Sequence, residues 1–275
     1  MKGLWLTARL DISESLRAKW FFFYALIFGG LVTGLLVFGV TESRVMGVTG
    51  LSRLLVTFIQ ITMAILPIFV LLSTVRSLAG DREAGVFEYL LALPVTLGGW
   101  YWGKYLGRFI VVFLPVFLAM TGSILYGLIS DLEIPWFHFF YYTMLLISVA
   151  ACFLGIGFMT SSVARSTDVS QAVAFLTWLV MLLFLDLILL GTIIKAHAPP
   201  ETVVAIALAN PLQTFRTASM MLFDPELILL GPSAYVILDN FGYNGYMAWS
   251  IVYPIFLGGF SALIGFWTFR RGDLP

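Results

Sequence analysis

Charge is scarce in this chain. Only 11% of its 275 residues are Asp, Glu, Lys or Arg while 60% are hydrophobic, more apolar surface than a water-soluble fold of this size can bury. Basic and acidic residues number 15 each, so there is no global basic field, and a nucleic-acid partner is excluded. Cysteine is nearly absent: Cys152 has no second cysteine to pair with, which rules out an intramolecular disulfide framework and leaves it a small hydrophobe in an apolar run. His138, His197, Cys152 and the methionines are scattered, with no C-x-x-C, H-x-x-x-H or methionine cluster; a soft-metal site needs such grouping. Neither H-E-x-x-H nor G-x-S-x-G occurs, which disfavours a membrane hydrolase.

Long apolar runs dominate what is there. A membrane helix needs about 20 apolar residues to cross roughly 30 Å of hydrocarbon. Stretches at about 20–40, 54–75, 105–129, 137–162, 170–194 and 247–269 qualify. The fold expected is therefore an all-α integral membrane protein, one transmembrane domain of six helices with both termini on the same side. The first span is longer than a signal-peptide core and lacks an A-x-A cleavage pattern, so it is expected to remain in the mature protein.

Orientation follows from the basic residues. With the N-terminus inside, Lys2, Arg9, Arg17, Lys19, Arg76, Arg82, Lys104, Arg108, Arg165, Arg270 and Arg271 face the cytoplasm, and Arg44, Arg53, Lys195 and Arg216 face outward. That bias is what the positive-inside rule demands. Residues 1–19 place Met1, Leu4, Trp5, Ala8, Ile12 and Leu16 on one helical face and Ser13, Glu14 and Arg17 largely opposite, the pattern of a helix lying in the inner membrane interface against lipid. An ordinary basic flank that orients the first span is the simpler reading.

The segment 76–104 interrupts two spans with charge. Asp81 is expected to cap a short helix, Glu83 to sit in its first turn and Pro94 to end it. Val86, Phe87, Tyr89, Leu90 and Leu93 would form its apolar side, with Arg82, Glu83 and Glu88 polar. Packing on the chain's own spans would also explain the apolar side. Farther on, Gly98 to Lys104 imitates the phosphate loop G-x-x-x-x-G-K-[ST], but Tyr105 stands where Ser or Thr must bind magnesium, and the interior is aromatic. Trp100, Tyr101, Trp102 and Tyr105 read instead as an interfacial belt, with Lys104 reaching the headgroups.

The loop pattern Glu83, Gly85, Glu88, Leu90, Pro94-Val95 and Gly103-Lys104, set in a chain with a cytoplasmic amphipathic N-terminus and six spans, resembles the permease subunits of type-2 ATP-binding-cassette exporters. The span Leu182–Gly191 with Asp186, the segment Asn210–Arg216 and the terminal Phe269–Asp273 resemble most the permease of the nitrous oxide reductase maturation system. The resemblance implies a homodimer in the bacterial or archaeal inner membrane, joined by two cytoplasmic ATPases that hold ATP and magnesium, with no cofactor on this chain. It also implies that Asp81, Arg82, Glu83, Gly85, Phe87 and Glu88 form a coupling helix docked on the ATPase. Arg165 to Asp168 would make a lesser contact there or a plain tight connection.

Two further features are ambiguous. Asp186 lies deep in a span, where an unpaired carboxylate costs several kcal/mol; contact with substrate and a structural hydrogen bond to a neighbouring helix both fit. Residues 195–246, broken by Pro199-Pro200, Pro211, Pro225 and Pro232, are expected as short helices over the outer end of the spans. There Phe215, Met220, Met221 and Phe223 would meet a periplasmic accessory protein or cap the bundle. Gly30-x-x-x-Gly34 and Gly103-x-x-x-Gly107 offer close-packing faces. An ion-coupled secondary transporter is the competing class, but it needs more midplane ionisable groups than Asp186 and inverted repeats that this chain does not show.

Overall fold

Backbone buried in hydrocarbon must satisfy its own hydrogen bonds, which helices do. The computed structural model describes residues 2–17, 21–30, 48–86, 96–129, 136–184, 205, 208–222 and 232–272, and among them every regular element is helical. The elements are α1 (Lys2–Arg17), α2 (Phe21–Gly30), α3 (Val48–Glu83), α4 (Leu97–Ile129), α5 (Trp136–Val163), α6 (Thr167–Leu179), α7 (Pro211–Met221) and α8 (Pro232–Gly272). A π turn, Val180–Phe184, continues α6.

Among the described residues, four helices are long and apolar enough to cross a membrane, through Ile59–Glu83, Leu97–Gly122, Trp136–Val163 and Phe241–Arg271. They overlap the stretches expected at 54–75, 105–129, 137–162 and 247–269, with different ends. Of the expected spans at 20–40 and 170–194, the described parts are α2 and α6 with its π turn; their remainders, including Gly34 and Asp186, lie outside the described residues. So do Phe87, Glu88 and Phe223.

The core is built around α5, whose buried residues run from Tyr141 to Ser162 and meet α3, α4, α7 and α8. Its longest seam is with α8. Small residues set that seam: a Cβ on Gly258 would lie 2.6 Å from Cys152 Cα and 2.8 Å from Ala151 C, and one on Gly155 would overlap the Gly258 carbonyl outright. Backbones this close gain dispersion along their whole length, the attraction that joins helices where lipid removes the hydrophobic drive. Tyr141 Oη shares a 2.7 Å hydrogen bond with Ser250 Oγ, and Ser148 Oγ donates to the Ile251 carbonyl at 2.7 Å.

At this edge of the bundle both helices extend beyond the apolar runs that mark them in the sequence. α3 continues past the apolar run to Glu83, and α4 begins at Leu97. Asp81 is thus inside the last turn of α3 and does not cap a new helix. Gly85, at φ 68°, marks the end of α3, with Ala84 N donating to Gly80 O at 2.9 Å and Gly85 N to Arg82 O at 3.1 Å. Glycine reaches that left-handed region without the Cβ clash other residues meet. The aromatic belt is also revised. Trp100 and Tyr101 are buried; Trp100 stacks on Phe269, and Tyr101 packs among Phe158, Phe266 and Phe269 while donating to the Ala262 carbonyl at 2.8 Å. The imitation phosphate loop is helical from Leu97 onward, which commits backbone amides that a phosphate would need.

Within the segment 195–246, the described helix α7 is likewise drawn inward. Asn210 caps α7, its side chain accepting from Leu212 N, with Pro211 opening the first turn. Phe215 and Met221 are fully buried and Met220 half-buried, because α7 packs on α3, α5 and α8. Phe215 and Met221 are therefore withdrawn from any external partner. Beyond α7, the α8 segment is helical from Pro232 but breaks at Gly242 (φ 63°, ψ 168°), so the long apolar part starts near Phe241.

Candidate functional site

The C-terminal ends of α3, α5 and α8 meet the N-terminal ends of α4 and α6, and this charged end of the bundle holds the residues predicted to act. α3 is fixed there by serine insertion. Ser161 Oγ of α5 donates to the Val75 carbonyl at 2.6 Å and accepts from Leu78 N and Ala79 N at 3.2 and 3.0 Å, while Ser170 Oγ of α6 donates to the same Val75 carbonyl at 3.2 Å. One hydroxyl thus reads the backbone of a neighbouring helix at three points. All three helices are locked in register at that level.

A second clasp lies one turn farther out. The Arg82 guanidinium donates to the Ser162 carbonyl at 3.1 Å and to the Ala164 carbonyl. Glu83 accepts from Thr167 N at 2.9 Å and from Thr167 Oγ1 at 2.7 Å. Thr167 is the first residue of α6 and follows the cap Ser166, whose Oγ accepts from Val169 N. A carboxylate there satisfies an orphan amide and complements the helix dipole. The connection from Arg165 to Asp168 is therefore more than a tight turn: it is bound on both sides by the end of α3.

Lys104 carries a third tie. The headgroup-reaching role expected of it is replaced by burial, with Nζ donating to the Ser77 carbonyl at 3.0 Å and pairing with Asp81. One turn on, Arg108 pairs with Asp11 of α1 at 2.8 Å. Burial pushes the Asp11 carboxyl above its ordinary range, and Arg108 pulls it partly back. Neither pair was read from the sequence; the spacing of Lys104 and Arg108, four apart on one helical face, is the signal that points to them.

α1 reaches Arg108 because α4 is smooth. A Cβ on Gly103 would lie 2.6 Å from Leu4 O, and one on Gly107 2.8 Å from Ala8 O, so the predicted small-residue face receives α1. Gly30 has open space around its Cα. The side of α1 turned to α4 is small and polar, with Thr7, Ala8, Asp11 and Ser15 buried, whereas Trp5, Leu6 and Leu10 are exposed. The expected apolar face is thus divided between the bundle and its surroundings.

Of the predicted docking residues, Asp81, Arg82 and Glu83 are engaged inside the chain, and Gly85 makes the turn that follows. Val86 resumes helix. Among the described residues no group of three or more His, Cys, Asp and Glu is placed to hold a metal ion; Cys152 is buried, and His138 Nε2 donates to the Leu222 carbonyl at 3.0 Å. The arrangement ties the end of α3 to α5 and to the start of α6.

Residues 5–274 match the profile described as ABC-2 family transporter protein. The chain belongs to that family. As a permease it is similar to the "Probable ABC transporter permease protein NosY" of Pseudomonas aeruginosa, 25% identical over 232 residues that cover 82% of this chain and 84% of the relative. The protein of the same name from Stutzerimonas stutzeri is 23% identical over 236 residues, covering 82% and 83%. The match takes in almost the whole permease, including α1 and the charged end.

Proposed function

We propose that this permease couples ATP hydrolysis on separate subunits to outward movement across the inner membrane, working as a homodimer with two cytoplasmic ATPases. The observation that carries the reading is the clasp of Arg82 and Glu83 on the α5–α6 connection. A segment fastened to two helices at its root delivers a push to both, whereas a free loop would absorb it. Asp81, Arg82 and Glu83 form that root and Gly85 the corner. Phe87 and Glu88, just beyond, are assigned to contact the ATPase, which would hold the ATP and magnesium. The charged end then faces the cytoplasm, in line with the distribution of Lys and Arg.

The resemblance of Leu182–Gly191, Asn210–Arg216 and Phe269–Asp273 to the permease of the nitrous oxide reductase maturation system suggests a narrower assignment, to maturation of that enzyme's copper site with help from a periplasmic accessory protein. Export of a drug, lipid or other small molecule by the same machine is the broader alternative. Co-purification decides the coupling. The wild-type chain should retain an ATPase through detergent extraction, and Phe87→Ala with Glu88→Ala should lose it while leaving the elution volume of the permease unchanged. Transport that persists in vesicles depleted of any ATPase would overturn the reading. For the narrower assignment, deletion of the gene should yield copper-deficient nitrous oxide reductase; a fully loaded enzyme would send the function to the alternative.

A further inference from the structure

Beside the clasp, between α1, α2, α3, α4 and α6, lies a cavity of about 310 Å³, within the size range of small-ligand sites. Its polarity is graded. Phe21, Phe69, Leu72 and Val111 line one part, and Glu14, Arg76, Ser77, Asp81, Lys104 and Arg108 line the other. Along α3 the walls run from Phe69 to Asp81, about 18 Å at 1.5 Å per residue, from the interior of a span to its charged end. An amphiphile placed there would have its tail toward the hydrocarbon.

The charges left over identify the head. The charge of Lys104 is paired with Asp81, and that of Arg108, through one terminal nitrogen, with Asp11. Arg76 and Glu14 both line the cavity, and neither has an ion pair or hydrogen bond with any described residue. Three more polar atoms of lining residues are buried without a hydrogen-bond partner: Ser77 Oγ, Arg108 Nε and Gln171 Nε2. Ser77 as a whole is only 4% exposed. Buried polar atoms are almost always paired, so three unpaired ones in one cavity point to a missing partner. All three can donate, and with Arg76 they form a set suited to phosphate oxygens. Glu14 is an acceptor only and suits an ammonium with N–H groups to give.

We propose that this cavity binds a phospholipid whose headgroup carries both a phosphate and a primary ammonium, the phosphate toward Arg76, Ser77 and Gln171 and the ammonium toward Glu14. A purely anionic lipid would leave Glu14 facing like charge. A quaternary ammonium has no N–H to donate. The site borders the coupling root at Asp81 but contains neither Arg82 nor Glu83 of the clasp, and it does not depend on which molecule the permease moves.

Native mass spectrometry of the full chain in detergent tests this, with dioleoylphosphatidylethanolamine, dioleoylphosphatidylcholine, dioleoylphosphatidylglycerol and the tail-less glycerophosphoethanolamine added in turn. Phosphatidylethanolamine should bind at least tenfold better than either other lipid, and glycerophosphoethanolamine should bind negligibly. Glu14→Gln should remove most of the preference over phosphatidylcholine, and Arg76→Gln should weaken all three lipids at least fivefold. Both side chains are exposed, so unchanged elution volumes are expected. Leu72→Trp, which fills the apolar part, should displace lipid without touching a charge. Equal binding of the three lipids, wild-type selectivity in Glu14→Gln, phosphatidylglycerol as the favoured ligand, or equal uptake of the tail-less compound would each overturn the proposal.

Discussion

Replacing Gly258 by Ala tests how far the seam between α5 and α8 is set by contact of backbones. The added methyl would stand 2.6 Å from Cys152 Cα, where real Cβ contacts do not fall below 3.0 Å. The shortfall, 3.0 minus 2.6, is 0.4 Å as a minimum, and the obstruction is backbone that no rotamer change can move. Separating the helices by even 0.5 Å forfeits about a quarter of the dispersion well at each contact, and overpacking of this kind costs up to about 3 kcal/mol. Helix propensity returns about 1 kcal/mol for Gly to Ala, leaving a net loss of about 2 kcal/mol. Gly80→Ala supplies the contrast, since its Cβ would meet only Thr167 Cγ2 at 3.7 Å, an ordinary contact; it should gain up to about 1 kcal/mol from the same propensity term. With about 2–4 °C per kcal/mol for a chain approaching this size, tryptophan-fluorescence melts in detergent should show Gly258→Ala lowered by about 4–8 °C and Gly80→Ala raised by about 2–4 °C. Shifts of the same sign in the two variants would refute the close-contact account.

Three other perturbations probe the charged end. Ser161→Ala strips two α3 amides of an acceptor and Val75 of one donor, and should cost about 1–3 kcal/mol in the same melts; a loss below about 0.5 kcal/mol would mean that water replaces the hydroxyl freely. Because burial raises the folded-state pKa of Asp11 above its ordinary 3.8, the native state holds the proton more tightly than the unfolded one. Its contribution is then fully present below that ordinary value and is lost as pH climbs through the raised one, so Asp11→Asn should flatten the fall in melting temperature over that window. Gly85→Ala forces a Cβ into φ 68° at about 1–2 kcal/mol, and Gly85→Asn should recover part of the resulting loss in ATP-coupled transport; equal activity of Ala and Gly there would show that the turn is dispensable.

Four of the long apolar runs were legible as membrane-length helices among the described residues, since hydropathy alone selects residues that tolerate hydrocarbon. Their ends were less so. Arg76, Asp81 and Arg82 look like the start of a loop, yet α3 runs through them because Asp81 meets Lys104 and Arg82 meets the carbonyls of Ser162 and Ala164. Those partners come from residues 23 to 82 positions away, which no local window contains. The signal for the true end was Gly85, a helix-stopping glycine, and it competed with Asp81 as a helix-starting acid. At α7 the start was written plainly in Asn210-Pro211, but direction was not: an apolar face looks the same whether it turns toward a partner or, as Phe215 and Met221 do, into the bundle. Glu83 was recognised as important for a contact outward, and the structure gives both its oxygens to Thr167.

α6 is hitched near both of its ends, besides the Ser170 tie between them. Glu83 holds Thr167, and at the π turn Asn210 Nδ2 donates to the Met181 carbonyl at 2.7 Å. From Thr167 to Met181 the rise is about 21 Å at 1.5 Å per residue, and each residue turns the helix by about 100°. The stretch between the hitches is therefore a ruler with a fixed number of divisions: adding or deleting one residue would swing the Met181 carbonyl about 100° away from Asn210 while Thr167 stayed in place. Side chains on its outer surface can drift freely in evolution, but its length cannot.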